Sequence, residues 1–221
     1  MLQEYNLIMN IKHLIESVFL FRKKIVKIIF YEILYMCSYS KSNHRVKPPD
    51  NYPAPYYFIY KISKFINSKK ISGIVDLGCG YGRVTNFLSD KTKAKIYGYE
   101  IDKESYQVAN QNQNDDVTIV NENIINIDFE SLDASCFIFN GPLYKSEHRA
   151  DFEVLINKIH ESMRKKQKKY YIIGINLDED KRHKAEDRNY IFNKKNLLKV
   201  VVAGPNKRIH FFEYQSNILS K

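Results

Sequence analysis

The sequence is short of three things: paired cysteines, an uninterrupted apolar run, and histidines with spaced partners. Each shortage removes a class of function. Cys37, Cys79 and Cys136 form no Cys-x-x-Cys pair and stand near no histidine-rich stretch, so neither a zinc site nor a disulfide framework has support. A reducing, cytoplasmic setting fits that pattern. The most apolar stretch, Leu14 to Met36, is broken by Glu16, Arg22, Lys23, Lys24, Lys27 and Glu32, whereas a membrane span needs ~20 predominantly apolar residues. It does not read as a transmembrane helix. The N-terminus also lacks the basic, apolar and small-residue order of a secretory signal. His148, His160, His183 and His210 stand alone in sequence, with no acid or cysteine at a spacing that makes a metal ligand or a triad member. No metal site is expected.

What is present is enough for one sizeable core. The chain has 221 residues, 44% of them hydrophobic, which suits one catalytic-size domain with an appendage and is too short for two comfortable domains. We place the appendage at residues 1–50 and the domain at 51–221. The net charge of +10 fits an anionic partner such as nucleic acid, a membrane surface or an acidic protein. It equally fits lysines solvating an ordinary surface.

In the first 39 residues, Ile15, Val18, Phe19, Ile25, Val26, Ile29 and Ile33 recur at three- and four-residue intervals between basic positions, which predicts an amphipathic helix. Such a helix either lies on an anionic membrane as a peripheral contact, or grips a substrate, or packs on its own domain or a second subunit. Ser38 to Pro55 carries Pro48-Pro49 and Pro53-Ala-Pro55 and reads as a linker or lid; His44 and Arg45 lie within it. A helix then covers Tyr56 to Asn67.

From Ile71 onward, short apolar strands alternate with amphipathic helices, which predicts βα units and a mainly parallel sheet. The strands are Gly73 to Leu77, Ala94 to Glu100, Val117 to Val120, Ser135 to Asn140 and Tyr170 to Asn176; the helices are Tyr81 to Ser89, Lys103 to Asn112 and Arg149 to Lys165. Leu197 to Ala203 and Arg208 to Gln215 are β-rich runs joined by Gly204-Pro-Asn-Lys207. That connection suits a hairpin and is too short for a crossover, so the last strand runs antiparallel to its neighbour. The lysines of 165–169 and 181–184 read as solvated faces, with contact to an anionic acceptor as the alternative.

The chemistry concentrates in Val75-Asp-Leu-Gly-Cys-Gly-Tyr-Gly-Arg83, where a buried strand meets a helix. Gly78, Gly80 and Gly82 alternate, so the backbone can turn tightly and approach a ligand without Cβ obstruction. A dinucleotide fingerprint would read G-x-G-x-x-G, but Arg83 occupies its third glycine position, which disfavours a nicotinamide-dependent oxidoreductase. Glu100 closes the second strand 22 residues after Gly78, where an acid can accept hydrogen bonds from both ribose hydroxyls. Asp102 is expected to cap the helix that starts at Lys103.

The loop resembles motif I of class I (Rossmann-like) S-adenosylmethionine (SAM)-dependent methyltransferases: an acid followed by G-x-G-x-G. The arrangement over residues 52 to 214 is similar to small bacterial members of that family. The resemblance implies a doubly wound seven-stranded sheet in the order 3-2-1-4-5-7-6, with strand 7 antiparallel. It implies that Asp76 organises the loop and the methionine amino end of SAM, and that Gly78, Cys79, Gly80 and Gly82 pass beneath the cofactor. Glu100 and Ile101 would hold the ribose side, and Asn123 and Ile124 the adenine, with Glu122 as the alternative to Asn123. Phe137-Ile-Phe-Asn-Gly-Pro-Leu-Tyr144 resembles the Asn-Pro-Pro-Tyr motif of amine methyltransferases. Gly141 replaces the first proline and Leu143 separates Pro142 from Tyr144, so amine specificity does not transfer with the motif. Asn140, which also borders the cofactor, and Tyr144 are the catalytic-site candidates. The expected activity is methyl transfer from SAM to an amine nitrogen of a protein, nucleic acid or metabolite. The alternative is a SAM- or nucleotide-binding regulatory or scaffold module without turnover.

Overall fold

The fold is taken from a computed structural model, which describes residues 26, 29, 30, 33, 54, 56–111, 113–140, 149–175, 196–204 and 207–215. Seven strands form one sheet: β1 (Gly73–Leu77), β2 (Lys95–Glu100), β3 (Val117–Asn121), β4 (Cys136–Asn140), β5 (Tyr170–Ile175), β6 (Leu197–Gly204) and β7 (Lys207–Tyr214). Their order is β3-β2-β1-β4-β5-β7-β6. The first five are parallel, and β7 runs antiparallel to both β5 and β6. The order and the reversed final strand are those expected. The reversal follows from the hairpin, because a connection that short can only fold the chain back on itself.

Among the described residues, α1 (Tyr56–Lys69) precedes β1, and α2 (Arg83–Lys91), α3 (Lys103–Gln111) and α4 (Arg149–Lys165) cross between strands. β1 is buried along its whole length, as expected of a central parallel strand covered on both faces. Period-2 alternation divides its side chains between two cores. Ile74 joins Ile96, Ile119, Ile138 and Ile173 under α1 and α2. Val75 and Leu77 join Phe137, Phe139, Ile172 and Phe212 under α4. α1 contributes Phe58, Ile59, Ile62 and Ile66, spaced by three and four residues and at most 1% exposed.

Four departures from the sequence reading have local causes. The helix expected from Tyr81 starts at Arg83 instead, because Gly82 precedes it in the left-handed conformation at φ 79°. The strand and helix ends otherwise shift by one or two residues, as helix and strand termini commonly do. The lysines of 165–169 are not simply solvated. Lys165 pairs with Glu130, Lys168 with Asp133 at 2.9 Å and Lys169 with Glu213 at 2.6 Å. Lys166 donates to the carbonyls of Phe129 and Leu132 at 2.7 and 2.5 Å. The run therefore fastens the β3–β4 connection to the turn before β5. Finally, His160 is not isolated in space: its Nδ1 meets the Tyr170 hydroxyl, and its ring lies 4.8 Å from that of Tyr214.

Of the N-terminal segment, Val26, Ile29, Phe30 and Ile33 are helical, at the expected spacing, and between 52% and 66% exposed. The stripe they form is therefore not buried against the domain core. Among the described residues, no helix is long and apolar enough to cross a membrane.

Gly73 makes β1 possible. A Cβ there would lie 1.9 Å from the Asp133 carbonyl oxygen and 2.8 Å from the Ala134 Cα. Both are backbone atoms that cannot swing aside. Gly73→Ala is expected to cost about 3 kcal/mol, the upper end for overpacking, read as a lowered urea midpoint.

Candidate active site

The parallel strands end together, and their register sets the candidate groups in one row. Leu77 pairs with Tyr99 and with Phe139, so Gly78 lies level with Glu100 on one side and Asn140 on the other. Glu100 in turn pairs with Asn121 on β3. This carboxyl edge is where open α/β sheets bind their ligands.

The glycine loop is shaped by its backbone. Gly78, Gly80 and Gly82 all have positive φ, at 77°, 55° and 79°, a region that L-residues with a Cβ adopt only at a cost. Two consecutive amides, Gly78 N and Cys79 N, donate to the Tyr99 carbonyl at 2.9 and 3.0 Å, tying the loop to the end of β2. The Glu100 carboxylate fastens its far side, accepting from Gly80 N and from Asp102 N, both at 2.8 Å. Glu100 thus holds the loop as well as facing the site. A Cβ placed on Gly78 or Gly80 would meet nothing within 4 Å. The space above the loop is an open cradle.

Asp76, on β1, precedes that loop by two residues. Its side chain is 1% exposed, and neither carboxylate oxygen has a hydrogen-bond partner among the described residues. Burial, and secondarily the charge of Glu100, push its carboxyl up to about 7. Cys79 is buried beside it, and burial, then Asp76 and Glu100, push its thiol well up. Cys79 is therefore a packing residue of the loop and not a nucleophile.

The remaining candidates take different parts. Ile101, beside Glu100, is 66% exposed, an unusual position for a large apolar side chain and one that leaves it available to a ligand ring. Asp102 caps α3, accepting from Ser105 N at 2.8 Å. The Asn123 Oδ1 accepts from Ile125 N at 3.1 Å and so starts the 3-10 turn at Ile124–Asn126. One lone pair of that oxygen remains for a further donor. Ile124 is half-buried beside the α4-side core. Asn140 ends β4 in the edge row; its side chain, Gly141 and Tyr144 lie outside the described residues, as do His44 and Arg45.

Three contributors were missed from sequence. Asn121 Nδ2 donates to the carbonyls of Glu100 and Ile101 at 2.8 and 3.1 Å, bracing the turn that presents both side chains. The Arg83 guanidinium lies 3.8 Å above the Tyr56 ring, joining α1 to the first turn of α2. Gly98 lets the loop settle on β2, since a Cβ there would come within 2.7 Å of Ile119 Cδ1 and 3.0 Å of Cys79 Sγ. A lone glycine in a strand already signals a close approach; the other two carry no such signal.

Residues 74–166 match the family model of a methyltransferase domain. A stretch of 72 residues is 38% identical to ribosomal RNA small subunit methyltransferase A of Mesomycoplasma hyopneumoniae, spanning 32% of this chain and 27% of that protein. Among solved structures, a protein of Pyrococcus horikoshii described as a candidate RNA methyltransferase superposes with a TM-score of 0.57 at 17% identity, over 80% of this chain and 91% of that one. Magnesium protoporphyrin IX methyltransferase of Synechocystis, solved with bound SAM, gives 0.57 at 13% identity, over 85% and 97%. At such identities the structures speak for the fold. Residues 74–166 are thus similar to a methyltransferase domain, and the sheet shares the fold of these solved methyltransferases.

Proposed function

We propose that this protein transfers the methyl group of SAM to an amine nitrogen of RNA. The observation that carries the cofactor is the open cradle over Gly78 and Gly80 in a loop of three left-handed glycines, with the buried, unpartnered Asp76 just ahead of it and Glu100 at its side. Three features support RNA as the acceptor. The chain carries a net charge of +10; the matched relative is named for ribosomal RNA; and Asn140 closes β4 next to the loop.

The sulfonium of SAM supplies a methyl group already activated for transfer. The protein's task is to align the nucleophile and keep water out. Asp76 would receive the methionine amino end, Glu100 would accept from the ribose hydroxyls, Ile101 and Ile124 would pack on the adenine, and Asn123 would accept from its amino group. In this reading Asn140 would accept a hydrogen bond from the target amine, turning the nitrogen lone pair toward the methyl group, and Tyr144 is the second residue assigned to the acceptor. An amine oriented in this way needs no covalent intermediate, and its proton passes to solvent after transfer.

Incubation with methyl-labelled SAM and separate protein, RNA and metabolite fractions tests this. Labelling of the RNA fraction is expected, with Asn140→Ala lowering the rate about 100-fold, the effect of losing one oriented hydrogen bond in a transition state, while SAM affinity is retained. Labelling of the protein or metabolite fraction instead would refute RNA as acceptor. SAM binding with no labelling in any fraction would point to a cofactor-binding module without turnover.

A further inference from the structure

Resting on the reading of SAM as cofactor, we infer that Asp76 gives up a proton when it receives the methionine ammonium, so that cofactor binding is coupled to proton release. The geometry argues for it first. Asp76 sits at the carboxyl end of β1 with both oxygens buried and without partners among the described residues. Its strand neighbours in register are Gly98 on β2 and Ile138 on β4, neither of which has a side-chain charge or donor to offer. The ionisable groups that bear on it are Glu100 at the end of β2 and the Cys79 thiol of the loop. Arg83, at the start of α2, has its guanidinium stacked on Tyr56 of α1.

A buried carboxylate with no cation and no donor is costly to keep ionised, so it holds its proton. Burial raises this carboxyl to about 7, which places the exchange near neutrality. Glu100 does not compete for the ammonium on equal terms, because its two oxygens already accept from backbone amides. An ammonium above Asp76 would offer three donors and a full positive charge to two empty acceptors, the strongest class of hydrogen bond available to a carboxylate. The balance is simple. Protonated Asp76 and the cationic ammonium become an ion pair, and one proton leaves to solvent, with no bond to carbon formed or broken. The ligand's own amino group titrates at about 7.7–8.0, so the exchange is best read on the acid side of 7.

The test is calorimetric titration of the full chain with SAM at about pH 6.5, run in phosphate and again in imidazole, buffers with different ionisation enthalpies. Release of most of one proton is expected from a carboxyl titrating near 7, seen as a binding enthalpy that differs between the two buffers. Between about pH 5.5 and 6.5 the SAM dissociation constant should fall close to tenfold. In Asp76→Asn both effects should vanish. 5′-Methylthioadenosine, which lacks the amino acid, should bind wild type without releasing the proton, so the proposal stays testable if the variant does not fold. Equal SAM enthalpies in the two buffers, or release that persists in Asp76→Asn, would overturn the proposal and leave SAM as cofactor. No SAM binding in either buffer would overturn the cofactor reading along with it.

Discussion

Asp76→Asn should make the ligand-free protein more stable, by an amount that grows with pH. The folded carboxyl titrates at about 7 against an ordinary value of 3.8, so between those values the folded state binds more protons than the unfolded state. Wild-type stability is then fullest below 3.8, falls as pH rises through this window and levels off above 7. The loss amounts to about 4 kcal/mol, since each pH unit of separation is worth about 1.4 kcal/mol. Asparagine has the same shape and no charge to desolvate. Its advantage over aspartate should be small at about pH 4 and should approach the full amount at about pH 8. Urea unfolding of both proteins across that range checks it. A difference independent of pH would mean that Asp76 is hydrated or paired in the folded chain. The same variant loses the acceptor proposed for the methionine ammonium, so a gain in stability should accompany a loss of SAM affinity. Such opposition is common where a site is kept polar for a ligand.

Glu100→Ala should weaken SAM binding about 100-fold. Two losses combine: the proposed acceptor for the ribose hydroxyls, and the anchor that holds Gly80 N at 2.8 Å and Asp102 N at 2.8 Å. Hydrogen bonds to a charged group contribute about 1.5–3 kcal/mol each, and a loss near the top of that range corresponds to roughly two orders of magnitude in affinity. Glu100→Gln keeps one acceptor oxygen and should retain part of the affinity, with a loss of about tenfold. Equilibrium titration with SAM distinguishes the variants, and circular dichroism confirms that each is folded. A change under about threefold in Glu100→Ala would mean that neither role matters to the cofactor.

The sheet and the row of groups at its carboxyl edge were legible because they rest on local patterns. β1 is a short, mainly apolar run, the glycines of the loop alternate, Glu100 follows at a set distance, and a short link forces β7 to reverse. The start of α2 was misplaced because helical composition says nothing about the φ of Gly82. The lysine clasp was misread for another reason: Glu130, Asp133 and Glu213 are its partners only once β4, β5 and β7 lie side by side. His160 gained Tyr170 and Tyr214 in the same way. Asn121 looks like any polar residue at a strand end, and its value lies in two carbonyls some 20 positions earlier in the chain. Asp76 was visible as a motif residue, while its want of a partner is a property of the packed interior alone.

The cofactor cradle is tested most directly by titrating the full chain with SAM and, separately, with NAD. The left-handed glycines at 78, 80 and 82, with Glu100 closing one side, predict saturable SAM binding and none of NAD. NAD binding without SAM binding would contradict the account.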